Sequence, residues 1–484
     1  MSSACPQNPA RTYQRREPEK DLLYRVLIDH LETFLQRTRT SEHSLPSHVE
    51  GELRSYLECG LLSYGFLRLR CPDCNTSRTV AFSCKGRGFC PSCMGRRMVD
   101  TAARLTDELL PAVPVRQWVL SLPLEIRYRL AYDGPLIGAF LAVFLRTVQT
   151  WYRQQARAQG YTDVRCGSVT FIQRFGSALN LNPHFHVLML DGVYACREEG
   201  TAPVFVPAPP LGDADVQRVV EMAAHRLVRL LQQRGVLDET EEDALAEEAP
   251  LLSALSAASI QGQLATGPRA GRRVRRLLSD PIEGLPSGRL CFSARGFSLH
   301  AATRIEAEDR VGLERLCRYV MRPPLAGGRL QLIDADHLTF RLKTPWSDGT
   351  THLLLSPLEL IEKLAALIPP PRLNLVRYHG ILAPHARDRH RIVPRPPVPT
   401  TASAAGASSG SPRRRRLSWA ALLARVFALD VTVCPACGGR LRLIAALTDP
   451  DSINTYLTGV GSAAEPPAIA PARPPPQREL DLVA

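Results

Sequence analysis

Two Cys-x-x-Cys pairs near the N-terminus restrict the folds open to this chain more than any other feature. Cys71-Pro-Asp-Cys74 and Cys90-Pro-Ser-Cys93 are separated by fifteen residues, a spacing that is typical of a zinc site. Each pair can place two thiolates on one ion, and two pairs complete a tetrahedron. The spacing predicts a small zinc ribbon over residues 58–100, with all four of these cysteines as ligands of one structural Zn²⁺.

Four further cysteines leave alternatives open. Cys59 and Cys84 lie in the same region, and we interpret them as small buried residues rather than as alternative ligands. Cys434-Pro-Ala-Cys437 is a single pair that no Cys or His follows. It is either a second zinc knuckle that is completed elsewhere, or the relic of one or a redox-inert pair of thiols.

The charge of the chain narrows the classes of partner. Its 484 residues carry a formal net charge of +13, which indicates an acidic partner, most simply a nucleic acid. Arg96 and Arg97 follow the second cysteine pair closely and are candidate contacts to DNA phosphates. The longest apolar stretch, 136–145, is only half of the roughly 20 residues that span a membrane, and the N-terminus has no apolar signal core. We therefore expect a cytoplasmic protein whose paired cysteines bind metal rather than form disulfides.

The run Leu179–Leu190 contains two histidines around a phenylalanine, His184-Phe185-His186. Residues 185–190 are almost wholly apolar, which predicts a buried strand. Residues i and i+2 of a strand face the same side, so both imidazoles would project together from a rigid platform. That arrangement suits two ligands of one divalent metal. The alternative is two half-buried histidines that share a sheet face by chance.

A second candidate residue lies on a predicted helix. Apolar residues recur at helical spacing over Glu306–Met321, and Pro323-Pro324 would end the helix. Tyr319 lies in its last turns, flanked by Arg315, Arg318 and Arg322. A tyrosine among arginines can meet a phosphate and act as a nucleophile toward it. The alternative is an amphipathic helix whose tyrosine packs at its own interface.

Together these residues resemble the HUH endonuclease superfamily, which is named for two histidines around a hydrophobic residue. The chain is similar, in the same order throughout, to the rolling-circle (tyrosine) transposases of bacterial insertion sequences, the insertion-sequence-ninety-one family with its common-region relatives. The matching stretches are Cys71–Arg97, Val169–Tyr194, Leu316–Ala326 and Leu375–Ala383. The best-known members carry two tyrosines four residues apart on one helix. Here the position four before Tyr319 is Arg315, so the chain looks like the single-tyrosine common-region branch.

The resemblance implies an α+β fold, in which an HUH-type antiparallel sheet with packed helices forms the catalytic domain. It implies that Tyr319 is the catalytic nucleophile and that His184 and His186 bind Mg²⁺ or Mn²⁺. A hard cation needs further ligands, for which Gln173 is the first candidate and His300 the second.

The implied enzyme is a metal-dependent single-strand DNA endonuclease and strand transferase. It would nick single-stranded or hairpin DNA at element ends, form a 5′-phosphotyrosine, and rejoin strands with target DNA in a bacterial cytoplasm, in association with the nucleoid. Arg315, Arg318 and Arg322 would contact DNA phosphates. The sequence has no Gly-x4-Gly-Lys-[Ser/Thr] phosphate loop, so we expect a host helicase or the replication machinery to supply single strands.

Other functions fit parts of this pattern. A plasmid or phage rolling-circle replication nickase shares the chemistry, but the zinc ribbon and the C-terminal cysteine pair favour the transposase. A non-catalytic zinc-dependent DNA-binding regulator would not require Tyr319. A metal-dependent hydrolase that uses His-x-His is disfavoured by the basic charge.

Composition, the motifs and the family resemblance together divide the chain into six predicted parts. These are an N-terminal helical region (1–57), the zinc ribbon (58–100), the catalytic domain (110–390) with an insertion at about 196–288, a flexible basic linker (394–416), a C-terminal module with one cysteine pair (417–460) and a disordered tail (461–484).

Overall fold

A computed structural model describes residues 16–39, 44–196, 202–237, 244–278, 288–325, 327–394 and 432–474. The predicted linker lies, beyond Pro394, outside the described residues. The helices are α1 (Leu22–Arg39), α2 (Ser47–Glu58), α3 (Pro91–Arg104), α4 (Leu124–Tyr132), α5 (Gly134–Ala158), α6 (Asp213–Gln233), α7 (Ala244–Glu248), α8 (Pro250–Gln261), α9 (Arg310–Val320), α10 (Pro357–Leu367), α11 (Arg389–Ile392) and α12 (Pro450–Gly459).

The strands are β1 (Phe66–Arg70), β2 (Ser77–Ala81), β3 (Val115–Ser121), β4 (Val164–Arg165), β5 (Gly167–Phe175), β6 (Leu181–Leu190), β7 (Gly192–Ala195), β8 (Val204–Pro207), β9 (Arg275–Leu278), β10 (Cys291–Ala294), β11 (Phe297–His300), β12 (Arg304–Ile305), β13 (Leu330–Leu332), β14 (Leu338–Arg341), β15 (Thr350–Leu355), β16 (Val376–Gly380) and β17 (Arg442–Leu447). The prediction of an α+β fold is confirmed.

The largest sheet is antiparallel and runs in the order β10-β11-β3-β6-β5-β16, with β12 also on β3. Three smaller sheets have the orders β17-β1-β2, β13-β14-β15-β9 and β4-β7-β8. The strand predicted over residues 185–190 begins earlier, at Leu181, because β6 pairs with β5 along almost its whole length. β6 therefore lies at the centre of the large sheet, where both of its edges are paired.

Alternation along β6 separates two helical layers. Phe185, Val187 and Met189 pack in one core with residues of α5 and α6. Leu188 and Leu190 point to the opposite face and pack in another core with residues of α3 and α9. Since side chains two apart share a face, His184 and His186 lie on the face that α9 covers.

Helix α9 is shorter than the predicted segment Glu306–Met321. Its N-terminus is capped by Asp309, whose carboxylate accepts a hydrogen bond from the Gly312 N–H at 2.7 Å. Its buried side chains, Leu313, Leu316, Cys317 and Val320, follow the helical period and pack on the large sheet. This packing leaves Tyr319 at the edge of the buried face.

The predicted insertion at 196–288 supplies part of the core. Helix α6 buries one side against the large sheet, on the face opposite α9. Helix α8 packs near the start of β6, where Ser259 Oγ accepts a hydrogen bond from the Leu181 N–H at 2.9 Å. Helix α6 therefore packs in the core that contains Phe185, and helix α8 packs in the core that contains Leu181.

Residues 432–460 of the predicted C-terminal module, the part that the structure describes, fold onto the predicted zinc ribbon. Strand β17 pairs with β1, and Ile453 and Leu457 of α12 cover Phe66, which is fully buried. Within the predicted disordered tail, Ala470 and Arg473 lie against α1, where the Ala470 N–H donates to the Ile28 carbonyl at 3.0 Å and the Arg473 N–H donates to Thr33 Oγ1 at 3.0 Å. Residues 475–484 lie outside the described part. Among the described residues, no helix has the length and apolarity to cross a membrane.

Candidate functional site

The two histidines of β6 form the floor of the site. His184 lies opposite Gln173 of β5 and Ser121 of β3, and His186 lies opposite Phe171 and Val119. The two imidazole centroids are 4.9 Å apart. The sequence predicted that these rings share one face, and the register places them side by side there.

His184 has its ring orientation and its tautomer set by the backbone. Its Nδ1 lies 2.8 Å from the Asn182 carbonyl oxygen. A carbonyl can only accept a hydrogen bond, so Nδ1 carries the proton and the lone pair is left on Nε2. Desolvation lowers the pKa of His184 to about 4, with Arg322 and Arg127 acting in the same direction. The imidazole is therefore neutral at pH 7, as a metal ligand must be.

His186 is held between two glutamines. Its Nδ1 lies 2.8 Å from Gln117 Nε2 and its Nε2 lies 3.3 Å from Gln173 Oε1. Burial lowers the pKa of His186 well below its usual value, and His184 and Arg322 lower it further. Sequence reasoning missed Gln117. Its only signal is a polar residue inside the apolar strand β3, which gains meaning once the β3–β6 register is known.

The two candidates for a third ligand differ in position. Gln173 is buried, and its Oε1 is in direct contact with His186. His300 lies on the same face, but it pairs with Val119, which in turn pairs with His186. One strand therefore separates His300 from the histidine pair.

Tyr319 lies over the histidines and is flanked by two cations. Its ring centroid is 6.3 Å from that of His186. The Arg322 guanidinium lies 4.3 Å and the Lys343 ammonium 4.7 Å from the tyrosine ring centroid. Desolvation raises the pKa of the phenol, but the hydrogen bond to Arg322 and the charges of Arg322 and Lys343 outweigh it, so the pKa lies below its usual value. Lys343 follows β14, and no sequence signal pointed to it.

The three arginines predicted around Tyr319 have different surroundings. Arg322 contacts the tyrosine ring. Arg318 forms an ion pair with Glu314, one turn earlier on α9. Arg315 is exposed on the outer side of the helix. Of the three, Arg322 is the one that the fold brings to the tyrosine.

A cleft of about 390 Å³ opens beside Gln173, and four arginines line it. We call it the basic cleft; its arginines are Arg87, Arg97, Arg174 and Arg322. Arg174 is only 5% exposed, and among the described residues its Nε and Nη2 find no hydrogen-bond acceptor of normal geometry. Buried donors without an acceptor are costly, so the cleft is suited to an anion.

Among the described residues, eight cysteines form two groups of four rather than the one group predicted. The first cysteine group contains Cys59, Cys84, Cys90 and Cys93; the second contains Cys71, Cys74, Cys434 and Cys437. In each group the four Sγ atoms lie within 4.8 Å of one another. The single site predicted from Cys71, Cys74, Cys90 and Cys93 is therefore wrong in its pairing, because the two N-terminal pairs belong to different groups.

The local backbone explains why the two pairs diverge. Cys90 precedes Pro91 at the first position of α3, so this pair opens a helix. Cys71 instead begins a tight turn between β1 and β2, closed by the Asn75 N–H on the Cys71 carbonyl at 3.0 Å. Cys59 and Cys84, interpreted from the sequence as small buried residues, complete the first group. Both groups have the composition of a structural zinc site.

Two segments of the chain match known protein families. Residues 26–122 match the family described as "Transposase zinc-binding domain", of the IS91 type. Residues 167–390 match the family described as "Putative transposase". The two matches together cover about two thirds of the chain. This chain is an IS91-type transposase. No curated protein and no solved structure matches it.

Most of the candidate site residues of this transposase fall within the segments that match the two families. The first cysteine group lies wholly inside the zinc-binding match, and His184, His186 and Tyr319 lie inside the transposase match. The transposase is thus a DNA-processing enzyme with a structural zinc domain. Cys434 and Cys437 lie outside both matches.

Proposed function

We propose that this transposase nicks single-stranded DNA at the ends of its element by attack of Tyr319 on the scissile phosphate, and that it rejoins strands in rolling-circle transposition. The observation that carries the proposal is the placement of the Tyr319 ring 6.3 Å from that of His186, between the cations of Arg322 and Lys343. The candidate nucleophile, the candidate metal ligands and two positively charged side chains therefore lie close together on one face of the sheet.

In the nicking step the Tyr319 oxygen bonds to phosphorus as the bond from phosphorus to the 3′ oxygen breaks. The phenolic proton goes to solvent, and the leaving 3′ oxygen takes up a proton to become a 3′-OH. The DNA 5′ end stays on the tyrosine as a phosphodiester. A later 3′-OH attacks this phosphotyrosine and releases Tyr319, so that strands are rejoined without ATP because one phosphodiester replaces another.

Arg322 and Lys343 support this step in two ways. They favour the phenolate form of Tyr319, which raises its nucleophilicity. They also lie where negative charge develops on the phosphoryl oxygens, and cations placed in advance stabilise such a transition state.

The residues under the tyrosine fit a divalent cation, Mg²⁺ or Mn²⁺. His184 offers Nε2 as a lone pair, and His186 is neutral, with Gln117 at its Nδ1. The Gln117 amide can turn its oxygen to accept from Nδ1–H, which frees Nε2 as a ligand. The Gln173 amide oxygen lies beside that nitrogen. Such an ion, when bound, would polarise a non-bridging oxygen of the scissile phosphate.

The DNA to use in the test follows from the resemblance to single-strand nickases. Overlapping single-stranded oligonucleotides that tile the DNA on both sides of the gene, hairpins included, are incubated with the full-length protein and MgCl₂ or MnCl₂. We expect a protein–DNA species that survives denaturing electrophoresis, together with a free 3′ end that a polymerase extends. A protein-linked 3′ end would contradict the proposed polarity.

The third ligand can be tested with a matched pair of variants. Gln173→Ala should raise the concentration of Mn²⁺ needed for half-maximal adduct by about 10-fold or more, since the variant removes a direct contact of His186. His300→Ala should leave it unchanged, because a strand separates His300 from the histidines. Adduct yield is titrated against Mn²⁺ for both variants. The reverse pattern would show that His300 is the ligand.

Neighbouring arginines of α3 test the basic cleft as the path of the DNA backbone. Arg97 lines the cleft, whereas Arg96, one residue earlier, does not. We expect Arg97→Ala to weaken binding of single-stranded DNA and to reduce the slope of log K against log salt by about 0.7, the value for one phosphate contact. Arg96→Ala should keep the wild-type slope. Equal slopes for all three proteins in fluorescence anisotropy would exclude Arg97 from the path.

A further inference from the structure

The turns around Cys71 and Cys434 are copies of one another. Both read Cys-Pro-x-Cys and continue with a residue of positive φ, Asn75 at 60° and Gly438 at 76°. The Asn75 and Gly438 N–H groups donate to the carbonyls of the first cysteines at 3.0 and 2.9 Å. We propose that the second cysteine group binds its own Zn²⁺ and that this ion fastens the C-terminal segment 432–474 onto the N-terminal zinc ribbon.

The sulfur positions suit a tetrahedral ion. Cys71 Sγ lies 3.5 Å from Cys437 Sγ, and Cys74 Sγ lies 3.4 Å from Cys434 Sγ. Zn–S bonds of about 2.3 Å in a tetrahedron separate the sulfurs by about 3.8 Å, whereas a disulfide would need about 2.05 Å. The first cysteine group, which lies within the zinc-binding family match, has the same spacing, with Sγ–Sγ distances of 3.4 and 3.7 Å. Four thiols lose their protons to solvent when the ion binds.

Charged side chains of both signs lie near the second cysteine group, and Asp73 Oδ2 is 3.9 Å from Cys71 Sγ. Arg70, the residue before Cys71, lies directly opposite Arg442 in the β1–β17 pair. Like charges in that position repel each other. A Zn²⁺ ion with four thiolates carries a net negative charge, so it would relieve the repulsion.

The packing around the second cysteine group indicates which parts of the chain a bound ion would hold together. The second group joins cysteines of the turn that follows β1 to cysteines that precede β17. β17 covers one edge of β1, and α12 covers Phe66 with Ile453 and Leu457. A link between two distant points of the chain removes loop-closure entropy from the unfolded state. The ribbon sheet and its small core are therefore complete only when the C-terminal segment is in place.

Zinc content of the full-length protein tests the proposal. We expect about two zinc ions per chain in the wild type and about one in Cys434→Ser/Cys437→Ser. The matched control Cys196→Ser/Cys291→Ser changes cysteines outside both groups and should keep both ions. An unchanged zinc content in Cys434→Ser/Cys437→Ser would overturn the proposal.

A second measurement keeps all cysteines and so does not depend on the folding of a variant. A specific protease site is inserted between residues 405 and 406, and the purified protein is cut there. With zinc present, the C-terminal fragment should elute with the body in gel filtration. Cys74 and Cys437 are exposed, so a mild chelator should remove the zinc of the second cysteine group before that of the first. Loss of this zinc should release the fragment. The fastening role would be overturned if the C-terminal fragment separated from the body while both ions were bound. It would also be overturned if the fragment stayed with the body after the zinc of the second cysteine group was lost.

Discussion

Tyr319→Phe should reduce the covalent protein–DNA product to background while single-stranded DNA still binds. The substitution removes only the hydroxyl, so the ring keeps its place between Arg322 and Lys343 and the buried face of α9 is unchanged. Without the oxygen no phosphotyrosine can form. Adduct is measured by denaturing gel, and DNA affinity by fluorescence anisotropy on the same protein.

Tyr378→Phe is the matched control. Tyr378 is also exposed and lies on β16 of the same sheet, and its substitution should leave the adduct at the wild-type yield. If Tyr319→Phe still forms adduct at that yield, the nucleophile is misassigned and Tyr378 is the next candidate. If the wild type binds the tiled DNA but forms no adduct under any of the metal conditions, a non-catalytic DNA-binding role is favoured.

The Cys90→Ser/Cys93→Ser variant should bind about one zinc ion fewer than the wild type. The region around α2 and the start of α3 should unfold in it. A structural zinc site contributes on the order of 10 kcal/mol to folding, which is comparable with the whole stability of a domain. The first cysteine group joins the end of α2, through Cys59, to the start of α3. Helix α3 in turn packs on the large sheet through Ala102. We therefore expect a lower unfolding temperature for the catalytic domain as well.

The measurement combines zinc analysis with thermal unfolding followed by circular dichroism. The control is again Cys196→Ser/Cys291→Ser, which should retain its zinc and its unfolding temperature. A Cys90→Ser/Cys93→Ser protein with the zinc content and unfolding curve of the wild type would contradict a zinc site in this group.

Local patterns predicted the elements that carry the chemistry. Alternation and apolarity around His184-Phe185-His186 predicted the strand and the shared face of the two rings, because side chains two apart on any strand point to the same face. Helical spacing and Pro323-Pro324 predicted the Tyr319 helix. They did not predict its first residue, which is set by the N-terminal cap at Asp309. The two cysteine pairs predicted a zinc domain near the N-terminus, which the family match confirms.

Tertiary structure decided what depends on partners distant in sequence. Spacing alone joined Cys71 to Cys90, but β1 and β2 turn the first pair toward the C-terminal segment, and α3 carries the second pair toward Cys59. Likewise Gln117 and Lys343 reach the site only through strand register and through the packing of distant segments. A spacing rule reports which ligands could share an ion; which of them do so depends on where the chain between them goes.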